Sequence, residues 1–248
     1  MCKVTDGAKK SVTTSKGRAS VVDAHRMHDY FNLITLPGII YLNSINWDFH
    51  KIWLCIRYGN YLSTAWEGEY GGYMWVYTSM YFIADMAAVT IWPQCVKSPA
   101  TIQIHHIVSL ISMYLVHIHP QYLWFMGANL FVEINTWFLI VRRIMHKDDE
   151  LKTQLKRSWS ILPGFISFCF YVTWIFGRSF LLPFLWWMCF REWAEFSEAK
   201  GSIFNIVLPP LTMQTCVTLM CFKWTYDLFT GKYKAWRSGA TAKLEKGL

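Results

Sequence analysis

The chain has 248 residues, a formal charge of +8, 54% hydrophobic residues and only 16% charged ones. This excludes a disordered chain, which needs low hydrophobicity and high charge density, and a disulfide scaffold, since only 7 residues are Cys. Soluble domains carry about 25% charge, and here the apolar residues gather in long blocks, so the composition points to an all-α, multi-spanning membrane protein. The first 20 residues lack the apolar core of a secretory signal. Lys3, Lys9, Lys10, Lys16 and Arg18 face only Asp6, so residues 1–24 read as a basic polar tail, with Cys2 as a site for S-acylation. The first span is predicted at Phe31–Trp47, although Pro37, Asn43 and Asn46 interrupt it. Tyr73–Trp92, Thr101–Ile118 and Gln121–Ile144 follow as the second to fourth. The fifth block, Trp159–Phe190, is about 48 Å long as a helix, too long for a hydrocarbon core of about 30 Å. Pro163 and Pro183 predict a kink there, or a short extra helix at its end. The sixth span, Ile203–Phe229, is interrupted by Pro209 and Pro210. Residues 231–248 form a second basic tail after a transmembrane region of 25–230.

Six spans with a cytosolic N-terminus put 18 of the 24 Lys and Arg residues on the cytosolic side and four on the other, with Arg178 and Lys223 inside spans. Such asymmetry is the positive-inside pattern. The charge therefore reads as topology plus contact with anionic lipid. Nucleic acid is not an expected partner, because no basic face alternates with exposed aromatics on a soluble domain. Trp47, Trp75, Trp92, Trp124, Trp159, Trp186 and Trp187 fall near predicted ends, as interface anchors do. The cysteines form no C-x-x-C pair and read as buried thiols.

Ionisable groups inside a bilayer are costly and mark functional sites by default. Here they are Asp85, His105, His106, Glu133 and Arg178, accompanied by Gln103, Asn129 and Asn135. By depth, Asp85 lies about 10 Å, His105 about 6 Å and Glu133 about 16 Å from the cytosolic ends of their spans. Neighbouring helices would bring these groups together in the inner half of the membrane. His105 and Ser109 are spaced i, i+4 and share a face, as do Asn129 and Glu133, while His106 points about 100° away from His105. The arrangement predicts a cavity open to the cytosol and lined by His, Asp and Glu. Arg178 and Asn135 read as structural partners of that cluster. The H-x-x-H-D run of His25, His28 and Asp29 offers too few ligands for a metal, and no metal site is expected. The histidine boxes of membrane di-iron enzymes are missing, as are the common nucleotide, zinc-protease and hydrolase motifs.

Four segments carry a family resemblance: Tyr81-Phe82-Ile83-Ala84-Asp85, His105-His106-Ile107-Val108-Ser109, Glu133-Ile134-Asn135-Thr136 and Phe176-Gly177-Arg178-Ser179-Phe180. In order and spacing they resemble the TLC domain (TRAM, LAG1 and CLN8 homology), over about residues 25–230. The resemblance implies a helical bundle of about six spans around a membrane cavity. It also implies the handling of lipids or acyl chains. The ceramide synthases of this family join an acyl-CoA to a long-chain amine, and by that likeness His105 and His106 are the catalytic pair, supported by Asp85, Ser109, Glu133, Asn135 and Arg178. Acyl-CoA is then a substrate and no cofactor is needed. The chain departs from those enzymes in offering Glu133 alone where they carry an acidic cluster, and it is closer to the small TLC-domain proteins. Its expected partners are membrane lipids, with other membrane protein subunits under the alternative of a non-catalytic accessory subunit or chaperone. The endoplasmic reticulum is the expected membrane, with the mitochondrial inner membrane as the alternative.

Overall fold

A chain crossing hydrocarbon must satisfy its own backbone hydrogen bonds, and the apolar blocks of this sequence do so as α-helices. The computed structural model describes residues 9–59, 61–147 and 161–245. Its main helices are α1 (Lys9–Ser44), α2 (Phe49–Tyr58), α3 (Gly71–Ile91), α4 (Pro99–His117), α5 (Leu123–Leu130), α6 (Val132–Lys147), α7 (Leu162–Thr173), α8 (Leu182–Lys200) and α9 (Leu208–Glu245). Among the described residues, four stretches are long and apolar enough to cross a membrane: Gly71–Ile91, Pro99–His117, Pro120–Met145 and Leu162–Lys200. The predicted first span overlaps α1 but runs three residues past its end at Ser44, and the predicted sixth begins five residues before α9; both helices carry more polar residues and pack along the others. α1 lies against α3 and α6, and α9 lies against α4 and α8. α1 is already helical from Lys9, so much of the predicted N-terminal tail continues the first helix. The C-terminal tail likewise continues α9 as far as Glu245. Cys2 lies outside the described residues. Cys55, Cys95, Cys169, Cys189, Cys216 and Cys221 are free thiols.

The asparagines that interrupt the first span fasten the bundle at the end away from the basic residues. Asn43 donates to the Gly127 carbonyl at 3.0 Å and accepts from the Trp47 indole at 3.2 Å. The Asn46 side chain accepts from the Tyr70 backbone N–H at 2.8 Å, and its carbonyl accepts from Glu67 at 2.9 Å. Trp47 then meets Trp66 edge-on, with ring centroids 4.9 Å apart. α2 starts beside this clasp, capped by Asp48, whose carboxylate accepts from the Lys51 N–H at 3.0 Å.

The long fifth block does not break. The expected kink takes the form of a π-helical segment, Trp174–Leu181, between α7 and α8. Pro163 sits in the first turn of α7, where a missing N–H costs nothing. Pro183 has no N–H to give to the preceding turn, and the wider register just before it absorbs that defect: the Leu182 N–H donates to the Gly177 carbonyl, five residues back. The helix then runs on to Lys200, past the predicted end at Phe190.

Gly127 lies where α5 passes the Trp66 ring. A Cβ at this position would come within 2.9 Å of Trp66 Cη2 and 3.1 Å of Asn43 Oδ1. Gly127→Ala should therefore destabilise the protein by about 1–3 kcal/mol, the usual cost of overpacking. Thermal unfolding in detergent checks this, and an unchanged midpoint would show that the two side chains can move aside.

Candidate functional site

The polar residues predicted to meet at one depth separate into three groups. The first is built on the Asp85 carboxylate, 2% exposed on α3. Its Oδ2 accepts from His106 Nε2 on α4 at 2.7 Å, and its Oδ1 accepts from His28 Nε2 on α1 at 2.9 Å. Asn32, one helical turn after His28, donates to the same Oδ1 at 3.3 Å and takes a hydrogen bond from the Tyr81 hydroxyl. One carboxylate thus binds three helices. Both imidazoles donate through Nε2, which leaves His106 Nδ1 bare, and that atom is buried without a partner. His28 is the residue that sequence reasoning missed. In the sequence it reads only as part of an incomplete metal motif with His25 and Asp29, because its partner is a carboxylate far along the chain. Asp29 pairs instead with Arg143 of α6 at 2.7 Å. Among the described residues no group of three or more His, Cys, Asp or Glu could hold a metal.

The second group surrounds a cavity of about 70 Å³ between α3, α4, α5, α6 and α9, with Leu182 of α8. Its polar lining is His105, Ser109, Ser112, Asn129, Glu133 and Gln214. The rest is apolar: Phe82, Met113, Val116, Phe125, Met126, Leu130, Val132, Leu182, Pro210 and Val217. The two i, i+4 pairs read from the sequence, His105 with Ser109 and Asn129 with Glu133, both face this space. The lining runs along α4 from His105 to Val116, about 16 Å at 1.5 Å per residue. It therefore extends beyond the inner half of the bundle, where it was expected, toward the far end. So small a volume spread over such a length is narrow. The His105 ring is held edge-on by Trp224 at 5.4 Å and by Phe82 at 6.4 Å, and its Nδ1 is buried without a partner. Glu133 is 6% exposed.

The third group centres on Arg178, carried by the π-helical segment. Its Nε donates to Asn135 at 3.0 Å, Nη2 to Thr136 at 3.2 Å and Nη1 to the Cys221 sulfur at 3.5 Å. The guanidinium lies between the rings of Trp174 and Trp224, at 5.0 and 5.2 Å, which suits a cation in a poorly hydrated place. Asn135 also donates to the Phe170 carbonyl at 3.0 Å and the Thr173 hydroxyl at 3.1 Å, so it ties α6 to α7. Trp224 touches both Arg178 and His105, and so joins this group to the cavity.

Of the predicted site residues, His105, Ser109 and Glu133 line the cavity. His106 and Asp85 hold helices together beside it, and Asn135 and Arg178 brace it from behind. The histidines are adjacent, with ring centroids 5.4 Å apart, but only His105 faces the space a ligand could take.

A helical bundle with several stretches long and apolar enough to cross a membrane is that of an integral membrane protein. The family comparison makes this specific. The TLC domain model matches residues 30–230, most of the chain, and the protein belongs to the TLC domain family. That membership links it to lipid metabolism or lipid sensing in a membrane. No curated protein and no solved structure matches the chain.

The Asp85 network makes a prediction that separates it from the cavity. Asp85→Ala strands two imidazoles and Asn32 in a buried place and should cost about 3–5 kcal/mol, as the loss of one partner from a buried charged network does. Ser109→Ala removes only a hydroxyl from the cavity wall and should cost about 1 kcal/mol or less. Unfolding midpoints of the two variants in detergent check the contrast, and equal losses would contradict the division of roles.

Proposed function

We propose that the cavity holds the hydrocarbon chain of a membrane lipid or acyl donor, with His105 and Glu133 at the reactive or polar end of that chain. The observation that carries this reading is the lining itself. It spans about 16 Å of α4 and is mostly apolar, with an imidazole, a carboxylate, two hydroxyls and two amides facing in, and at about 70 Å³ it takes a whole chain only as its walls move apart. Ligand sites are commonly apolar pockets with a few convergent polar groups.

The site has the parts for acyl transfer from a thioester to an amine. His105 takes the proton of the attacking amine, the new C–N bond forms as the C–S bond breaks, and the thiol of CoA leaves. An imidazole is suited to that transfer because a ring nitrogen without a hydrogen-bond partner, here Nδ1, can accept the proton when neutral. His106 then serves as a positioning residue. Asp85 fixes its ring, and the packing of that ring against Phe82, at 5.0 Å between centroids, fixes the wall beside His105. The endoplasmic reticulum, with the basic side facing the cytosol, is the membrane this reading favours.

The purified protein, assayed with acyl-CoA and a long-chain amine, should release CoA and form amide. His105→Ala should lower the rate by about 10²-fold or more, the usual loss when a general base is removed. Glu133→Leu should lower retention of copurified acyl lipid. Absence of turnover in the wild type rejects the transfer step. Absence of bound acyl lipid, measured by mass spectrometry of extracted lipid, rejects the cavity's role.

The second reading, an accessory subunit or chaperone, is favoured by one observation. The double histidine is half committed to packing, because His106 is held by Asp85. Under that reading another membrane protein copurifies in mild detergent, and His105→Ala/His106→Ala keeps it. A monodisperse, partnerless chain in mild detergent rejects it.

A further inference from the structure

Away from the cavity, at the end of the bundle that carries the basic residues, two cations converge on one tyrosine. The Arg142 guanidinium lies over the ring of Tyr171 at 5.3 Å, and its Nη2 donates to the Tyr171 hydroxyl at the long distance of 3.5 Å. It also covers Phe170 at 5.0 Å. Lys232 reaches the same Tyr171 ring from α9, its ammonium 5.7 Å from the centroid. Both cations lie within about 6 Å of the centre of one ring, close enough for a single anion at the edge of that ring to offset both charges.

Among the described residues, the paired acids do not supply it. Asp29 pairs with Arg143 at 2.7 Å, and Asp227 pairs with Lys223 at 2.7 Å. Among the described residues, no carboxylate pairs with Arg142 or Lys232. Arg142 Nε is buried and has no hydrogen-bond partner. A buried donor left unpaired is costly, and a guanidinium fork matches a phosphate.

We infer that Arg142, Lys232 and the Tyr171 hydroxyl form a binding site for the phosphate of an anionic membrane lipid, seated between α7 and α9. The surroundings favour a lipid over free phosphate. Phe168 and Val172 on α7, and Phe229 and Tyr233 on α9, are exposed apolar neighbours against which acyl chains can lie. The basic end of a membrane protein also sits at the level of lipid headgroups. The site shares no lining residue with the cavity and stands whether or not the cavity carries out a reaction.

The test uses the full chain purified in an uncharged detergent, with dioleoyl phosphatidic acid, phosphatidylcholine or inorganic phosphate added. Bound lipid is counted by native mass spectrometry, and stability is followed by thermal unfolding. Phosphatidic acid should bind and raise the unfolding midpoint, while phosphatidylcholine and inorganic phosphate should not. Arg142→Gln/Lys232→Gln should weaken phosphatidic acid by about 30-fold, the effect of two basic residues at about 1 kcal/mol each. Lys51→Gln/Arg191→Gln, at exposed sites away from this pair, should leave it unchanged. Should the double variant fail to fold, exposed Lys232→Gln alone should weaken binding about fivefold. Equal binding of phosphatidic acid and phosphatidylcholine, undiminished binding by the Arg142 and Lys232 variants, or an equal stabilisation by inorganic phosphate would each overturn the assignment.

Discussion

The Asp85 carboxylate is the constraint on which the rest of the bundle depends. A carboxylate this deeply buried is tolerated only if its lone pairs are taken up, and here His28, His106 and Asn32 take them. Because the three helices α1, α3 and α4 meet at one atom group, their relative heights are fixed. With His106 turned to Asp85, the next residue back along α4 must point about 100° away, which directs His105 into the cavity. One side chain of the double histidine holds the scaffold while the other serves the site. Two cationic or catalytic histidines acting as equals would need a different rotation of α4.

A second constraint comes from a proline. Pro183 would leave a carbonyl unpaired in an unbroken α-helix, and the chain answers with a π-helical register from Trp174 to Leu181. That register turns Arg178 inward, to 8% exposure, where two indoles and three polar side chains receive it. The cation then sits behind the cavity wall. Backbone irregularity and buried charge thus belong to one feature.

The all-helical class and the two polar faces that line the cavity were legible in the sequence, as were the second to fifth of the six spans read from it, which fall on the four stretches long and apolar enough to cross a membrane among the described residues. Helical spacing alone puts His105 with Ser109 and Asn129 with Glu133, and both pairs face the same space. Spacing could not tell which helix each face would meet. Asp85 and Glu133 were expected to join, since both lie at intermediate depth, yet Asp85 turns to α1 and Glu133 to the cavity. His28 went unrecognised because a partner 57 positions away leaves no local trace. Gln214 was hidden within a span broken by two prolines. The asparagines near the end of α1 looked like defects in a span, and their use became visible only when Gly127 and Tyr70 came beside them.

The central claim is that the slot beside His105 is a chain-binding site. An experimental density map of the protein in lipid nanodiscs tests it most directly. The account predicts continuous, elongated density running from His105 past Ser109 and Asn129 toward Gln214 and Val116. A slot filled by its own side chains, or holding only separate water peaks, would contradict it.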